Sequence, residues 1–482
     1  MKPVISRALS LSALLVLNGC SLLPMVGPDY QLPSFSLPAF WSTSTSTAPA
    51  PAAVPAPELA QWWRQLNDPL LNRLIDAALA DSVDLKLAQS RLQQARASRE
   101  QAVSGLFPTL TASAGASRNK NATAISALPA RTLYDAGFDA SWEIDLFGGT
   151  RRGVEAATAE LAASQASLNN VRVSLLAEVA QNYVELRAYQ HRLAIARDNL
   201  ASQSETVQIT EWRNQAGLAA SSDVEQARTS REQTRASIPD LEIGQAAAEN
   251  RLAVLLGKNP GALHGELAEM KDFPPVPASV GAGIPADVLR QRPDLIVAER
   301  TLAAETARLG QKQAQRFPSL NLGGSFGWQA YSFGALGGSD TLMRAISGTL
   351  AATLFDGGKL RSAVNIQSAV QEQALLSYQN GVLGALEEVE NALTAYAASR
   401  ERLEARQAAA EAARNAAALT RNLYQSGLAD FQKVLETERT RLSAEDSLAT
   451  AQASRLTCLI TLYKALGGGW QQAAPATENG KS

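Results

Sequence analysis

The sequence predicts an α+β membrane protein built from two tandem structural repeats, each a pair of short strands set between very long coiled-coil α-helices. Three observations predict it: the chain is written twice, each copy holds two segments of two-residue alternation, and the helical stretches around them run far beyond ordinary globular length. Phe107-Pro108-Thr109-Leu110 recurs as Phe317-Pro318-Ser319-Leu320. The same offset of 210 relates Asp84 to Asp294, Val179 to Val389, Gly217 to Gly427 and Gly257 to Gly467. A slip of one residue would turn a helix face by about 100°, so an offset held along the whole copy means two superimposable units. It changes only around the strands, to 208 at Leu146 and Leu354.

Residues 1–19 read as a signal peptide. Lys2 and Arg7 supply positive charge, Ala8 to Leu17 is apolar, and Leu17-Asn18-Gly19-Cys20 closes the segment. An apolar run of roughly ten residues is too short for a permanent membrane span. The last four residues resemble a bacterial lipobox, which makes Cys20 the acylated N-terminus, and Ser21 after it favours the outer membrane. Cys458 is the other cysteine, so no intrachain disulfide is available once Cys20 carries lipid, and Cys458 reads as a small buried residue.

Residues 20–60 read as a lipidated, extended tether: Gly27-Pro28-Asp29-Tyr30, further prolines at Pro24, Pro33 and Pro38, a Ser/Thr run from Ser42 to Thr47, and an Ala/Pro stretch to Pro57. Repeat 1 spans 61–257. Trp62-Trp63 opens it, and Asp68 is an N-cap with Pro69 at the first helical position of a helix reaching about Gly105. In the strand from Asp135 to Phe147, Ala136, Phe138, Ala140, Trp142, Ile144 and Leu146 alternate with Asp135, Asp139, Ser141, Glu143 and Asp145. One face is apolar and the other carries carboxylates. In the second copy Leu320, Leu322, Phe326 and Trp328 alternate with Asn321, Gly323, Ser325 and Gln329. Ile346, Leu350, Ala352 and Leu354 alternate likewise with Ser347, Thr349 and Thr353.

Gly148-Gly149 and Gly357-Gly358 end the strands and open the longest helices. No proline interrupts the chain from Pro129 to Pro239 or from Pro318 to Pro475. Val154, Leu161, Leu168 and Leu175 fall seven apart, and Val179, Tyr183, Leu186 and Leu193 continue a stripe that demands a helical neighbour. From Gly149 to Gln215 the helix is roughly 100 Å long at 1.5 Å per residue. It turns at Ala216-Gly217-Leu218 and returns over Ser222 to Gly257. That return helix and the helix before the strands together match the long helix. The second copy repeats the arrangement over Asp287 to Arg316, Lys359 to Gln425 and Gln432 to Gly467. The expected form is a rod with two helix hairpins at one end and two strand hairpins at the other. Residues 258–286 are a linker, 287–467 repeat 2, and 468–482 a flexible tail.

Four strands cannot span a membrane alone, because open sheet edges in hydrocarbon leave backbone groups unpaired at several kcal/mol each. Two chains would supply eight strands, whose interior fills with side chains; three supply twelve and leave a lumen. A homotrimer is the smallest assembly with a water path. Charge excludes a nucleic-acid partner: 44 basic residues balance 46 acidic ones, and no basic stripe is interleaved with aromatics. An enzyme is not expected either. His191 and His264 are isolated, and no Walker loop, nucleophile elbow or metal-spaced cluster appears, so no catalytic, cofactor or metal residue is assigned. A lipid-anchored periplasmic coiled coil without a pore would explain the heptads but not the paired alternating strands.

Several motifs together resemble the outer-membrane factors of bacterial tripartite efflux pumps, the OprM/TolC type and more narrowly the lipoprotein NodT branch. They are Cys20 with Gly27-Pro28-Asp29-Tyr30 and Pro33, Trp62-Trp63 with Asp68-Pro69-Leu70, and Arg292-Pro293-Asp294-Leu295, followed by Leu354-Phe355-Asp356-Gly357-Gly358 and Ala465-Leu466-Gly467-Gly468-Gly469-Trp470. The resemblance implies a trimeric channel-tunnel without cofactor, a twelve-stranded transmembrane β-barrel in the outer membrane continuous with an α-helical barrel across the periplasm. It implies export of small toxic compounds such as antibiotics, with type I protein secretion or metal efflux as alternatives. The partners it implies are a periplasmic membrane-fusion adaptor and an inner-membrane transporter of the resistance-nodulation-division type.

By the same resemblance the tips of the helix hairpins hold a periplasmic gate. The matching positions are Ser222, Asp223 and Tyr424, with Asp223 expected to bond the Tyr424 hydroxyl across the hairpins. Ala429 stands where an arginine often completes that contact. Glu436 takes the place of a ring-forming aspartate, with Arg439 three residues on and able to pair with it. Gly217, Leu218, Gly427 and Leu428 are the expected adaptor-contact tips, the glycines permitting the left-handed turn.

Overall fold

The computed structural model describes residues 25–38, 41, 56–120, 129–277 and 290–470. The signal peptide, Cys20 with residues 21–24, most of the stretch from 39 to 55, residues 121–128, residues 278–289 at the junction of linker and repeat 2, and the tail from 471 lie outside the described residues.

The first long element is helix α1 (Pro69–Asp81), capped as its sequence dictates: the Asp68 carboxylate accepts from the amides of Leu70 and Leu71 at 2.9 and 3.1 Å. The expected single helix to Gly105 is instead two, because the chain breaks at Ser82, in extended conformation, before helix α2 (Val83–Ser104). The second copy breaks 210 residues later, at Arg292, before the helix that starts at Pro293. Packing favours both breaks, and at the second Pro293 also disfavours a helical Arg292. The left-handed glycines Gly257 and Gly467 approach the carbonyls of Asp81 and Gln291 so closely that a Cβ would lie 2.6 and 3.2 Å from them. A straight helix would collide there with the end of its returning partner.

Strands β1 (Thr109–Asn119) and β2 (Arg131–Ile144) follow, then helix α3 (Gly149–Gln215) and its return α4 (Ser221–Leu255). Helix α5 (Pro293–Ala314), strands β3 (Ser319–Ala330) and β4 (Leu342–Ala351), and helices α6 (Lys359–Gln425) and α7 (Phe431–Ala465) complete the chain. The two longest helices have 67 residues each and their returns 35 each. The two returns differ at one interior position: Pro239 lies inside α4, and Ala449 holds the corresponding place in α7.

The strands stop earlier than the alternation suggests. β2 ends at Ile144 rather than Phe147, and β4 at Ala351 rather than Leu354, because the next carboxylate turns to the coming helix. Asp145 accepts from the Arg151 amide at 2.8 Å. Asp356 accepts from Leu360 and Gly358, also at 2.8 Å, and these backbone bonds hold its carboxyl below the usual range.

The chain folds into two compact units, each drawn from both sequence copies. One comprises the described residues of 1–34, 91–165 and 296–380 and contains the sheet. Its strands lie in the order β1-β2-β3-β4, all antiparallel, with the central seam joining the two copies: Phe138 faces Phe326 and Trp142 faces Leu322. Residues directly opposite share a face. Leu110, Phe138, Leu322, Phe326, Ile346 and Leu350 therefore lie on one side, and Asp135, Asp139, Glu143, Thr111, Gln329 and Thr349 on the other. The apolar side is solvent-facing within one chain, Ile346 being 96% exposed, and Arg118 and Arg344 are its charged exceptions.

The other unit comprises 35–90, 166–295 and 381–482 in their described parts. Its core gathers Trp62, Leu71, Ile75, Leu176, Tyr183, Leu252, Leu456 and Tyr463. Trp62 stacks on Tyr463 at 5.2 Å, and burial pushes the Tyr463 phenol up to about 12. The Tyr183 hydroxyl donates to Asp68 at 2.5 Å, so the N-cap of α1 is also tied to α3. No helix among the described residues is long and apolar enough to cross a membrane.

Candidate functional site

The candidate site is the pair of turns joining α3 to α4 and α6 to α7. Each long helix ends in the same way. The Gly217 and Gly427 amides reach back to the carbonyls of Asn214 and Tyr424, and the Leu218 and Leu428 amides to those of Arg213 and Leu423 at 2.7 and 2.8 Å. Gly217 and Gly427 have φ of 74° and 78°, which is why glycine stands at both. Leu218 and Leu428 project outward, 69% and 76% exposed. An apolar side chain so placed has nothing of its own chain to cover it.

Below the turns a small core holds the hairpins together: Val207 of α3, Ala227 of α4, Tyr424 of α6, and Phe431, Val434 and Leu435 of α7. Ala429, where the resemblance implies an arginine, packs its methyl against this core. Tyr424 is buried, and its hydroxyl lies 3.4 Å from that of Thr210.

The expected bond from Asp223 to Tyr424 is not formed. Asp223 instead folds back to accept from the Ala220 amide at 3.3 Å, satisfying a free donor at the start of α4. Nor does Glu436 pair with Arg439. Lys433, three residues earlier, reaches it at 2.8 Å, and exposed Arg439 meets no carboxylate among the described residues. Ser222 is exposed beside Asp223. Cys20 lies outside the described residues, and Cys458 is partly buried and free.

What does join the hairpins is Arg213, which sequence reasoning passed over. From the last turn of α3 its Nη1 donates to the Tyr424 carbonyl at 2.6 Å, and its guanidinium lies 4.6 Å from the Tyr424 ring centroid. One cation thus caps the closing turn of the neighbouring helix and packs on its aromatic face. Further along, Arg421 of α6 pairs with Glu205 and donates to Ser202 of α3 at 3.2 Å, and Arg192 of α3 meets Asp446 of α7 at 2.6 Å. The available signal was a basic residue in a helix's last turn, a common cap for its own carbonyls. Sequence alone does not say that it caps the neighbour's. The arrangement contains contacts that can be made and broken, and no group placed for bond chemistry.

Comparison with known proteins agrees with this reading of a conduit. The family model described as outer membrane efflux protein matches the chain twice, at residues 74–258 and 284–468. Nodulation protein T of Rhizobium leguminosarum bv. trifolii is 32% identical over 96% of this chain and 97% of its own length. The pyoverdine export outer membrane protein OpmQ of Pseudomonas aeruginosa is 34% identical over 86% and 89%. Among solved structures, the outer-membrane channel OprN superimposes with a TM-score of 0.86 at 36% identity, covering 93% of this chain and all of that one.

Proposed function

Since the chain belongs to the outer membrane efflux protein family, we propose that it is the outer-membrane channel-tunnel of a tripartite pump, a homotrimer exporting small toxic compounds such as antibiotics. The observation that carries this is the sheet: four strands, one apolar face, one polar face, and two outer edges, β1 and β4, that meet no further strand among the described residues. In hydrocarbon each unsatisfied backbone group costs several kcal/mol. Edge-to-edge joining of three chains removes every edge and turns the polar side, with Asp135, Asp139 and Glu143, toward a water-filled lumen.

The remaining roles follow from that assembly. Cys20 carries the lipid that holds the chain at the outer membrane. The tips at Gly217, Leu218, Gly427 and Leu428 meet a periplasmic adaptor, which links the channel to an inner-membrane transporter of the resistance-nodulation-division type. Ser222, Asp223, Tyr424, Glu436 and Arg439 stand at the periplasmic gate, where carboxylates from three chains would repel one another and favour cations. Arg213 is the contact that holds that gate shut. Selection of cargo falls to the inner-membrane partner, and the conduit itself performs no reaction.

The test is direct. Acylated protein purified in detergent is expected to run as a heat-modifiable trimer and to conduct ions in planar bilayers. A monomer that never conducts would overturn the proposal.

A further inference from the structure

Read as a sequence, Gly27-Pro28-Asp29-Tyr30 is part of a loose tether; in the structure it is seated. Arg152, in the first turn of α3, is 1% exposed and spends its donors on this segment. Its Nε bonds the Val26 carbonyl at 3.3 Å, and its Nη2 bonds the Gly27 carbonyl at 3.2 Å and Asp29 at 2.7 Å. Nη1 takes Glu155 of its own helix at 2.7 Å. The Val26 amide donates to the Phe147 carbonyl at 3.1 Å, just past the end of β2. Tyr30 closes the far side, its hydroxyl donating to Glu299 of α5 at 2.9 Å.

The fit is made by missing side chains. Gly27, with φ of 97°, lies so close to Gly310 that a Cβ would come within 2.4 Å of its Cα. A Cβ on Gly310 would strike the Arg152 Nε at 2.9 Å, and one on Gly148 would meet Met25 at 2.8 Å. Two glycines from distant parts of the sequence, Gly148 and Gly310, and one buried cation thus form an acceptor for the six residues Met25–Tyr30, which meet it with a glycine of their own. A flexible spacer needs no such acceptor.

We propose that the segment Met25–Tyr30 is a strap, and that its seat on Arg152 and Gly310 fixes the level at which the strands enter the membrane and so permits the trimer to close. This rests on the channel reading above and adds a positioning device to it. Met25 is five residues from Cys20, a reach of at most about 18 Å, so the seat also confines the acyl group to the neighbourhood of the end of β2. Acyl chains alone would leave the level free to vary along the tether; the strap removes that freedom.

The experiment uses the full, acylated chain in its own outer membrane and reads the share of heat-modifiable trimer. Asp29→Ala touches an exposed side chain and leaves the helices intact. It is expected to lower the trimer share several-fold and to open residues 25–38 to proteinase K, and Asp29→Glu is expected to restore both. Arg152→Gln should act in the same direction. Six Gly/Ser residues inserted between Cys20 and Met25 should leave the trimer share unchanged. Wild-type trimer in Asp29→Ala and Arg152→Gln, or loss of trimer on insertion of the spacer, would overturn the strap and assign positioning to the lipid. Conductance of the wild-type protein decides the channel reading separately.

Discussion

The two helix-hairpin tips share a backbone and differ in nearly every polar side chain. Both turn through a left-handed glycine followed by an outward leucine, with the same pair of reverse hydrogen bonds. Yet Arg213 of the first corresponds to Leu423 of the second, Asn214 to Tyr424, Ala220 to Asp430, Asp223 to Lys433 and Gln226 to Glu436. The turn is held by main-chain geometry, so side chains around it are released from structural duty. The contact between the hairpins uses that release: a cation from one copy and an aromatic from the other, neither with a twin.

The largest expected effect tests what the tips share. Leu218→Asp combined with Leu428→Asp, two exposed positions, should reduce drug resistance of cells to that of a strain lacking the protein, with trimer amounts unchanged on heat-modifiability gels. Normal efflux from that double variant would remove adaptor contact from these leucines.

Next comes the difference between the copies. Arg213→Ala should raise single-channel conductance several-fold in planar bilayers, whereas Leu423→Ala should leave it as it was. Tyr424→Phe should also be silent, because Arg213 holds the carbonyl and the ring, both of which phenylalanine keeps. A conductance rise in Tyr424→Phe equal to that in Arg213→Ala would move the contact to the hydroxyl.

Smaller effects concern the backbone. Nothing lies within 4 Å of a Cβ placed on Gly217 or Gly427, so Gly217→Val and Gly427→Val meet only the left-handed conformation itself. Each should cost about 1–2 kcal/mol, equally, as a fall in thermal midpoint followed by circular dichroism. The smallest change is at the caps. The Asp430 side chain accepts from the Lys433 amide at 2.8 Å, and Ala220 can offer no such bond. Asp430→Ala should lose about 1 kcal/mol, and Ala220→Ser, completing a capping box with Asp223, should gain roughly half of that.

Much of this was legible in the residues because it is local. Two-residue alternation places β2, β3 and β4, repetition of the copy calls for β1 without bounding it, and long runs without proline place α3 and α6 to within a residue or two. The break at Ser82 was not legible, since no proline or glycine stands there, whereas the break at Arg292 has a local mark in Pro293, which disfavours a helical residue before it. The cause they share lies in Gly257 and Gly467, about 175 residues along in sequence from each break and arriving only through packing. Strand ends were overrun because the alternation runs on past the last ladder pair, through Asp145 in the first copy and through Ala352, Thr353 and Leu354 in the second, while Asp145 and Asp356 serve the following helix. At Glu436, Lys433 and Arg439 stand at the same three-residue spacing on either side, and spacing cannot choose between them. Arg213 escaped notice for a related reason: a long side chain at a helix end can cap its own carbonyls or a neighbour's, and only the neighbour's position decides.

The seam between β2 and β3 has a consequence for how the molecule is made. It pairs Trp142 with Leu322, residues 180 apart in the sequence, so two helices of the first copy must emerge before the first hairpin finds its neighbour. Contacts closed over such distances form slowly. Until β3 emerges, β1 and β2 therefore wait as an orphan hairpin with a bare edge and an oily side, exposed for as long as the intervening helices take to follow.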